Sequence, residues 1–221
     1  MGIAELEIDP LAVQIPARPV AGGAYVRIKP LLDFALGSIL LLLTAPAAMA
    51  AMLLVRLTSP GPAIYWQRRL GRGGKEFTIY KIRTMYEDCE RHSGAIWSRP
   101  GDSRGTPVGR ILRLIHLDEV PQLVNVVLGE MSLVGPRPER PEFLPQLERV
   151  LPDYRRRLTV RPGLTGLAQV KLPYDTDVES VRKKLKYDFC YVEGMGPWLD
   201  LRIILATPLR CVGVPFPLIG R

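Results

Sequence analysis

Asp118 and Glu119 lie side by side in His116-Leu117-Asp118-Glu119-Val120-Pro121-Gln122, the strongest chemical candidate in this 221-residue chain. Pro121 suits the first turn of a helix, where a missing N–H costs little. That predicts Asp118 at or near the N-cap, accepting hydrogen bonds from free amides and feeling the positive end of the helix. Both effects favour the ionised carboxylate. An ionised Asp beside a divalent cation is a competent nucleophile at phosphorus, and Glu119 is placed to hold the cation. An ordinary N-cap with an acid in its first turn uses the same residues. Taken alone, that is the commoner situation.

Other segments offer cations for phosphate. Lys81 and Arg83 follow an expected strand, and alternation puts them on one face, about 7 Å apart. They would clamp a diphosphate there, or simply line a solvated strand face. Arg137 sits between two prolines in Gly135-Pro136-Arg137-Pro138, which restricts where its guanidinium can point. Arg161-Pro162-Gly163-Leu164-Thr165-Gly166 reads as a built loop whose glycines permit close approach to a ligand.

Composition narrows the metal chemistry. Three widely spaced cysteines (Cys89, Cys190, Cys211) and two histidines (His92, His116) argue against both a disulfide framework and a Cys/His zinc site. Carboxylates are then the natural ligands, which points to a hard cation such as Mg²⁺. Lys and Arg total 30 against 22 Asp and Glu, and Arg predominates. Its planar fork suits phosphate oxygens or an anionic surface. The triplet Arg155-Arg156-Arg157 and the set Arg182, Lys183, Lys184 and Lys186 suit anionic headgroups when carried on amphipathic helices. Nucleic acid is disfavoured as a partner, because no aromatics are interleaved with these clusters.

The elements that must position these residues follow from patterning. Residues 1–28 form a tail with weak periodicity, expected to be mobile and unlike a signal peptide. Phe34 to Val55 is a run without a single charge. As a helix it would be roughly 33 Å long, enough to cross a bilayer. Pro46 interrupts it, and both flanks are basic, whereas the positive-inside rule wants one basic flank per crossing. A re-entrant helix bending at Thr44-Ala45-Pro46 is favoured, with Thr44 satisfying a freed backbone group; a plain span stays open. Asp33 is expected at the interface, near a Lys or Arg. Glu76 to Met85 reads as a strand, 86–107 as a long loop, and Val108 to Ile115 as a helix. Further helices are predicted from Glu119 to Leu128, Phe143 to Tyr154, Val178 to Phe189 and Trp198 to Val212. The expected organisation is a tail (1–28), a re-entrant membrane helix (29–57) and a compact catalytic block (58–221). Its fold class is α/β, mostly helical, with amphipathic interfacial helices and few short strands.

These motifs, in this order, resemble the bacterial sugar transferase family, the monotopic phosphoglycosyl transferases, in its minimal form. The resemblance runs from about Lys29 to Val212 and rests on an ordered set: the apolar helix with its Pro, then GPAIYWQRRLGRGGKEFTIYKIRTM, DSRGTPVGRILRLIHLDEVPQLVNVVLGEMSLVGPRPE, RPGLTGLAQV, and YDFCYV followed by WLDLRIILAT. It implies transfer of a sugar phosphate from a nucleotide diphosphate sugar, usually a UDP-sugar, to undecaprenyl phosphate, the first membrane step of surface glycan synthesis. It implies Asp118 as nucleophile, forming a phosphosugar-aspartyl intermediate, with Mg²⁺ held by Asp118 and Glu119. It places Lys81, Arg83, Arg104, Arg113 and Arg137 at phosphate and ligand contacts. It further implies a re-entrant helix bent at Thr44 and Pro46, membrane lipid as a partner, and a site on the cytoplasmic face of the bacterial inner membrane. A homodimer is left open. Lys171-Leu172-Pro173-Tyr174 departs from the family pattern, where Asn or Arg and then Gly follow AQV. A membrane-anchored adaptor without catalysis and a phosphatase acting on diphosphate-linked sugars are the competing functions.

Overall fold

A computed structural model describes residues 23–91, 94, 96–97, 101–173 and 177–211, with residues 210 and 211 described by their main chain alone. Residues 1–22, most of the expected tail, and Val212 lie outside the described residues. The first element, α1 (Ala24–Thr58), takes in residues 24–28 and runs unbroken through Pro30 and Pro46. At 1.5 Å per residue it is about 52 Å long. Pro46 has no N–H to give the Leu42 carbonyl. The Thr44 hydroxyl does not serve that carbonyl; it donates to its own i−4 partner, Leu40 O, at 2.7 Å. Such a bond bends a helix slightly rather than healing a break.

One face of α1 is buried in two stretches, Lys29, Asp33 and Gly37 near its start and Ala48, Ala51 and Val55 toward its end. The small residues let neighbouring chain approach. A methyl on Gly37 would come within 2.9 Å of a Val126 methyl. The other face stays open, with Leu42 76% and Leu43 73% exposed. Both ends of the helix are tied to the rest of the molecule. Near the start, the Asp200 carboxylate accepts from Lys29 Nζ (2.5 Å), the Tyr25 hydroxyl (2.6 Å) and the Tyr191 hydroxyl (2.9 Å). Asp33 lies 3.5 Å from Lys29, as expected, and accepts the Leu133 N–H at 3.1 Å.

A hairpin follows. β1 (Ile64–Leu70) pairs antiparallel with β2 (Glu76–Ile82), putting Tyr65 opposite Lys81. β2 ends three residues short of the strand read from sequence, and β1 lies in a stretch left unassigned. The turn between them needs glycine, since Gly73 and Gly74 sit at φ 70° and 79°. Next, α2 (Pro107–Leu114) starts where the Thr106 side chain accepts the Gly109 N–H at 2.9 Å. His116, left-handed at φ 54°, ends that helix and re-aims the chain. The expected helix over 119–128 is a 3₁₀ turn, Leu117–Gln122, followed by α3 (Leu123–Val127).

The remaining chain closes over these elements. β3 (Ser132–Val134) pairs in parallel with β4 (Gly163–Thr165). Between them α4 (Leu144–Val150) is flanked by 3₁₀ turns at Pro141–Phe143 and Tyr154–Thr159. Then come α5 (Leu167–Lys171), α6 (Val178–Gly194) and α7 (Pro197–Cys211). Asp177 and Ser180 form a capping box at the start of α6. The main core joins β2, α3, β3, α6 and α7 through Ile79, Val126, Val134, Tyr191 and Ile203. Another packs α1 itself, through Ala48, Ala51 and Val55, against Ile82 and Leu112. The class is as expected: mostly helical, with two two-stranded sheets among the described residues.

Two sequence expectations change on packing grounds. The glycines of Arg161–Gly166 do permit close approach, but to Gly135: a methyl on Gly163 or Gly166 would overlap its main chain. They weld β4 to the chain leaving β3. The basic triplet also divides. Arg155 pairs with Glu148, Arg156 with Glu193 at 2.7 Å, and Arg157 is buried. Lys184 is buried too. Neither run is a uniform surface for headgroups.

Candidate active site

Asp118 and Glu119 occupy the first turn of the 3₁₀ segment, two and three positions beyond its N-cap, His116. Its left-handed conformation turns the chain so that both carboxylates face β2. Glu119 is met by two cations. Lys81 Nζ donates to its Oε1 at 2.6 Å, and Arg137 Nη2 to the same oxygen at 2.7 Å. Burial opposes ionisation of Glu119, but Arg137 and Lys81 outweigh it and hold its carboxyl well below the ordinary value.

Asp118 is the opposite case. It is buried, and its Oδ1 has no hydrogen-bond partner. Burial, then the adjacent Glu119 charge, push its pKa up from 3.8 to about 6, despite the opposing pull of Lys81, Arg113 and Arg137. The sequence expectation of a cap-stabilised, strongly acidic Asp118 is therefore corrected. It does not cap the turn, and desolvation dominates. At neutral pH the carboxylate still prevails, and it is only weakly solvated. That combination suits a nucleophile.

The cations expected from sequence divide into two groups. Lys81, Arg137 and Arg113 surround the dyad, and Arg113 is steadied by a 2.7 Å bond from its Nε to the Thr84 hydroxyl. Arg83 is buried and committed elsewhere. Its Nη2 donates to the Ser59 carbonyl and hydroxyl, both at 2.9 Å, and its Nη1 to the Pro60 carbonyl, so it caps the C-terminal end of α1. Lys81 and Arg83 therefore do not act as a pair on one ligand. Arg104 forks onto Asp102 (2.6 Å) and reaches Glu90 (3.2 Å), two carboxylates that line the same cleft as the dyad. Its role here is to brace the loop before α2.

The dyad opens into a cleft of about 1790 Å³ whose walls differ in chemistry. Leu36, Ile39 and Leu40 of α1 line one part of it, and Arg69, Lys81, Arg113 and Arg137 another. Leu172 and Pro173, in the segment that departs from the family pattern, also line it, while Tyr174 lies outside the described residues. Arg69 was not singled out from sequence, nor was the buried pair Arg157–Asp188 (2.7 Å). Their signal was present but ambiguous, since each sits in a charged run that reads equally well as solvated surface.

Among the described residues, no three His, Cys, Asp or Glu side chains cluster as a ready-made metal cage. The unpartnered Asp118 Oδ1 fits one ligand position for a hard cation, with Glu119 beside it. Two carboxylates are what Mg²⁺ commonly takes from a protein when substrate phosphates and water supply the rest.

The chain matches the family model described as bacterial sugar transferase over residues 24–213. A UDP-N-acetylgalactosamine-undecaprenyl-phosphate N-acetylgalactosaminephosphotransferase of Aeromonas hydrophila is 42% identical over 183 residues, 83% of this chain and 43% of that protein. A UDP-glucose:undecaprenyl-phosphate glucose-1-phosphate transferase of Caulobacter vibrioides is 40% identical over 210 residues, 91% of this chain and 77% of that one. An exopolysaccharide production protein of Rhizobium leguminosarum is 40% identical over 172 residues, 76% of this chain and 86% of that one. This chain thus spans less than half of the first of these relatives and most of the other two. The match over nearly all the described elements, dyad and cationic loop included, means that the chain belongs to the bacterial sugar transferase family.

Proposed function

We propose that this chain transfers a sugar phosphate from a nucleotide diphosphate sugar, of the UDP-sugar class, to undecaprenyl phosphate, by a covalent aspartyl route. The observation that carries the reading is Asp118: a buried carboxylate with an unpartnered oxygen, beside a charge-balanced Glu119, in a cleft with a cationic and an apolar wall. An Asp118 oxygen attacks the sugar-bearing phosphorus. The Asp–O–P bond forms as the P–O–P bond breaks, and the electron pair leaves with UMP. A phosphate oxygen of undecaprenyl phosphate then attacks the same phosphorus, the Asp–O–P bond breaks, and Asp118 returns to a carboxylate. Lys81 and Arg137 hold Glu119 and stabilise charge developing on the phosphoryl oxygens. Asp118 and Glu119 would also hold Mg²⁺, which supplies charge neutralisation at the diphosphate when bound.

Membrane attachment at one face fits the packing of α1. Buried residues from Lys29 to Val55 span about 39 Å along its axis. Polar ties to the same block sit near each end, at Asp200 and at Arg83. A straight crossing would put one of those contacts on the far side of the bilayer, so the packing supports a helix whose two ends stay at the cytoplasmic face, although α1 shows no break at Pro46. The exposed apolar side chains Leu114 (70%) of α2 and Trp198 (74%) of α7 suit the same lipid surface.

The test is UMP release from a panel of UDP-sugars with Mg²⁺ and polyprenyl phosphate. A transferase yields lipid-linked diphosphate sugar. A phosphatase would yield free sugar phosphate, and an adaptor no turnover. With acceptor omitted, one UMP per protein and a phosphosugar adduct at Asp118 are expected. Turnover without such a burst would overturn the covalent route.

A further inference from the structure

Arg137 reaches Glu119 from a loop whose carbonyls are held one after another. The Gly163 N–H donates to Pro136 O at 2.9 Å, and the Leu70 N–H to Glu139 O at 2.9 Å. Between them, two guanidinium groups do the same work. Arg157 Nη2 donates to Arg137 O at 2.8 Å, and Arg69 Nη1 to Pro138 O at 3.0 Å. Neither guanidinium is a loose surface group. Arg157 is 7% exposed at its side chain and is itself aimed by Asp188, 3% exposed, on its Nε (2.7 Å) and by the Tyr154 hydroxyl on its Nη1 (2.6 Å). Arg69 is oriented by Gln67 Oε1 at 2.7 Å. Burying two arginines to grip two peptide carbonyls is costly unless the position of that loop matters, because a desolvated charge is expensive even when paired.

We propose that Arg157, aimed by Asp188, and Arg69 are positioning residues that clamp the main chain at 137 and 138 and so hold the Arg137 guanidinium on Glu119. The proposal rests on the transfer reading above. Prolines on both sides of Arg137 leave its backbone few alternatives, so fixing two carbonyls fixes the base from which its side chain extends. A displacement of about 1 Å at such a group can cost on the order of 10²-fold in rate.

Arg157→Lys is the informative variant. A lysine keeps a cation for Asp188 but has one nitrogen, so it cannot also serve Tyr154 and the Arg137 carbonyl. Arg69→Lys tests the second arm and stands in should the first variant fold poorly. Each is made alone and with Arg137→Ala, and UMP release is measured in the full chain. The expected loss is about tenfold or more in the native background and under about twofold once Arg137 is gone, the non-additivity of residues acting through one group. Equal fold losses in both backgrounds would overturn the proposal, since a merely structural arginine costs the same with or without Arg137. A second readout does not depend on turnover: hydrogen exchange over residues 135–140 should quicken in Arg157→Lys while α6 stays protected. If the native chain releases no UMP, the transfer reading fails on its own account. Unchanged exchange at 135–140 would still overturn the clamp.

Discussion

Asp118→Asn should make the protein inactive and, near neutral pH, more stable. The folded-state pKa of Asp118 is raised to about 6 from 3.8, chiefly by burial. A carboxyl shifted in this direction helps the fold only while protonated. Its contribution is complete below about pH 3.8 and is lost as pH rises through about 6. Ionising the buried group then works against folding by about 3 kcal/mol near pH 8 and about half of that near pH 5. Asparagine has nearly the same shape and never ionises, so it removes this penalty, of which the repulsion from Glu119 is a part. For a chain of this size, about 3 kcal/mol corresponds to roughly 6–12 °C in unfolding midpoint. The assay is thermal unfolding of both proteins in detergent with a chelator present, near pH 8 and near pH 5, alongside UMP release with Mg²⁺. The variant should melt higher at both pH values, with the larger gap near pH 8, and should turn over at least ~10³-fold more slowly because an amide cannot form the covalent bond. Equal midpoints near pH 8, or a gap that does not grow with pH, would refute the claim that desolvation governs Asp118.

Lys81→Gln removes a cation that pulls the Asp118 pKa down, so the acid limb of the rate profile should move to higher pH. An unmoved limb in kcat/KM against pH would show that Lys81 is not felt at Asp118. Gly163→Ala should cost about 1–3 kcal/mol or more, because a methyl overlaps the Gly135 main chain; chemical denaturation reports it, and a neutral change would contradict that packing. Replacing Pro46 by Leu restores a backbone N–H worth about 3 kcal/mol in helix preference. Reduced turnover and a mixed topology are expected, read by impermeant thiol labelling at cysteines introduced on either side of α1. Wild-type turnover with both sites labelled from one side would transfer credit for the return path from Pro46 to the packing of α1.

What could be read from the sequence, and what could not, follows the range of the forces involved. The helices α2 and α6 were legible because apolar residues recur at helical spacing from Val108 and from Val178, and the structure adds the caps Thr106 and Asp177 just before them. β1 carried a signal, an aromatic and β-branched run before a glycine turn, but a two-stranded hairpin is recognisable only when its partner is considered with it. The dyad was legible as a pair of adjacent acids. Its protonation was not, because burial of Asp118 is a property of the assembled cleft, and local capping arguments pointed the other way. Arg83 and Arg104 show the same limit. Residue type and spacing identify a guanidinium but not its commitments, and here the Ser59 and Pro60 carbonyls and the Asp102 carboxylate take them. The run 155–157 conceals a sharp difference in environment. Arg155 is at the surface, while Arg157, two residues on, is within the fold.

The burial of one face of α1 toward both its ends bears on how such a protein can be handled. Ala48, Ala51 and Val55 are core residues in the same sense as Ile82 and Leu112, with which they pack. Tyr25, Val26 and Leu41 lean on the main core as well. The long apolar helix is thus also a wall of the cleft beside the dyad and a buttress of β2. Deleting residues 24–58 would strip the apolar face of the block, leave the Leu133 N–H without Asp33, and leave Asp200 with only Tyr191 of its three donors. Extraction conditions act on the same helix from its other side, so a detergent that fails to cover Leu42 and Leu43 competes with the packing of Val55. Choice of amphiphile is then a variable of catalytic geometry as well as of solubility, and fusion or display formats should add sequence outside this helix rather than replace it.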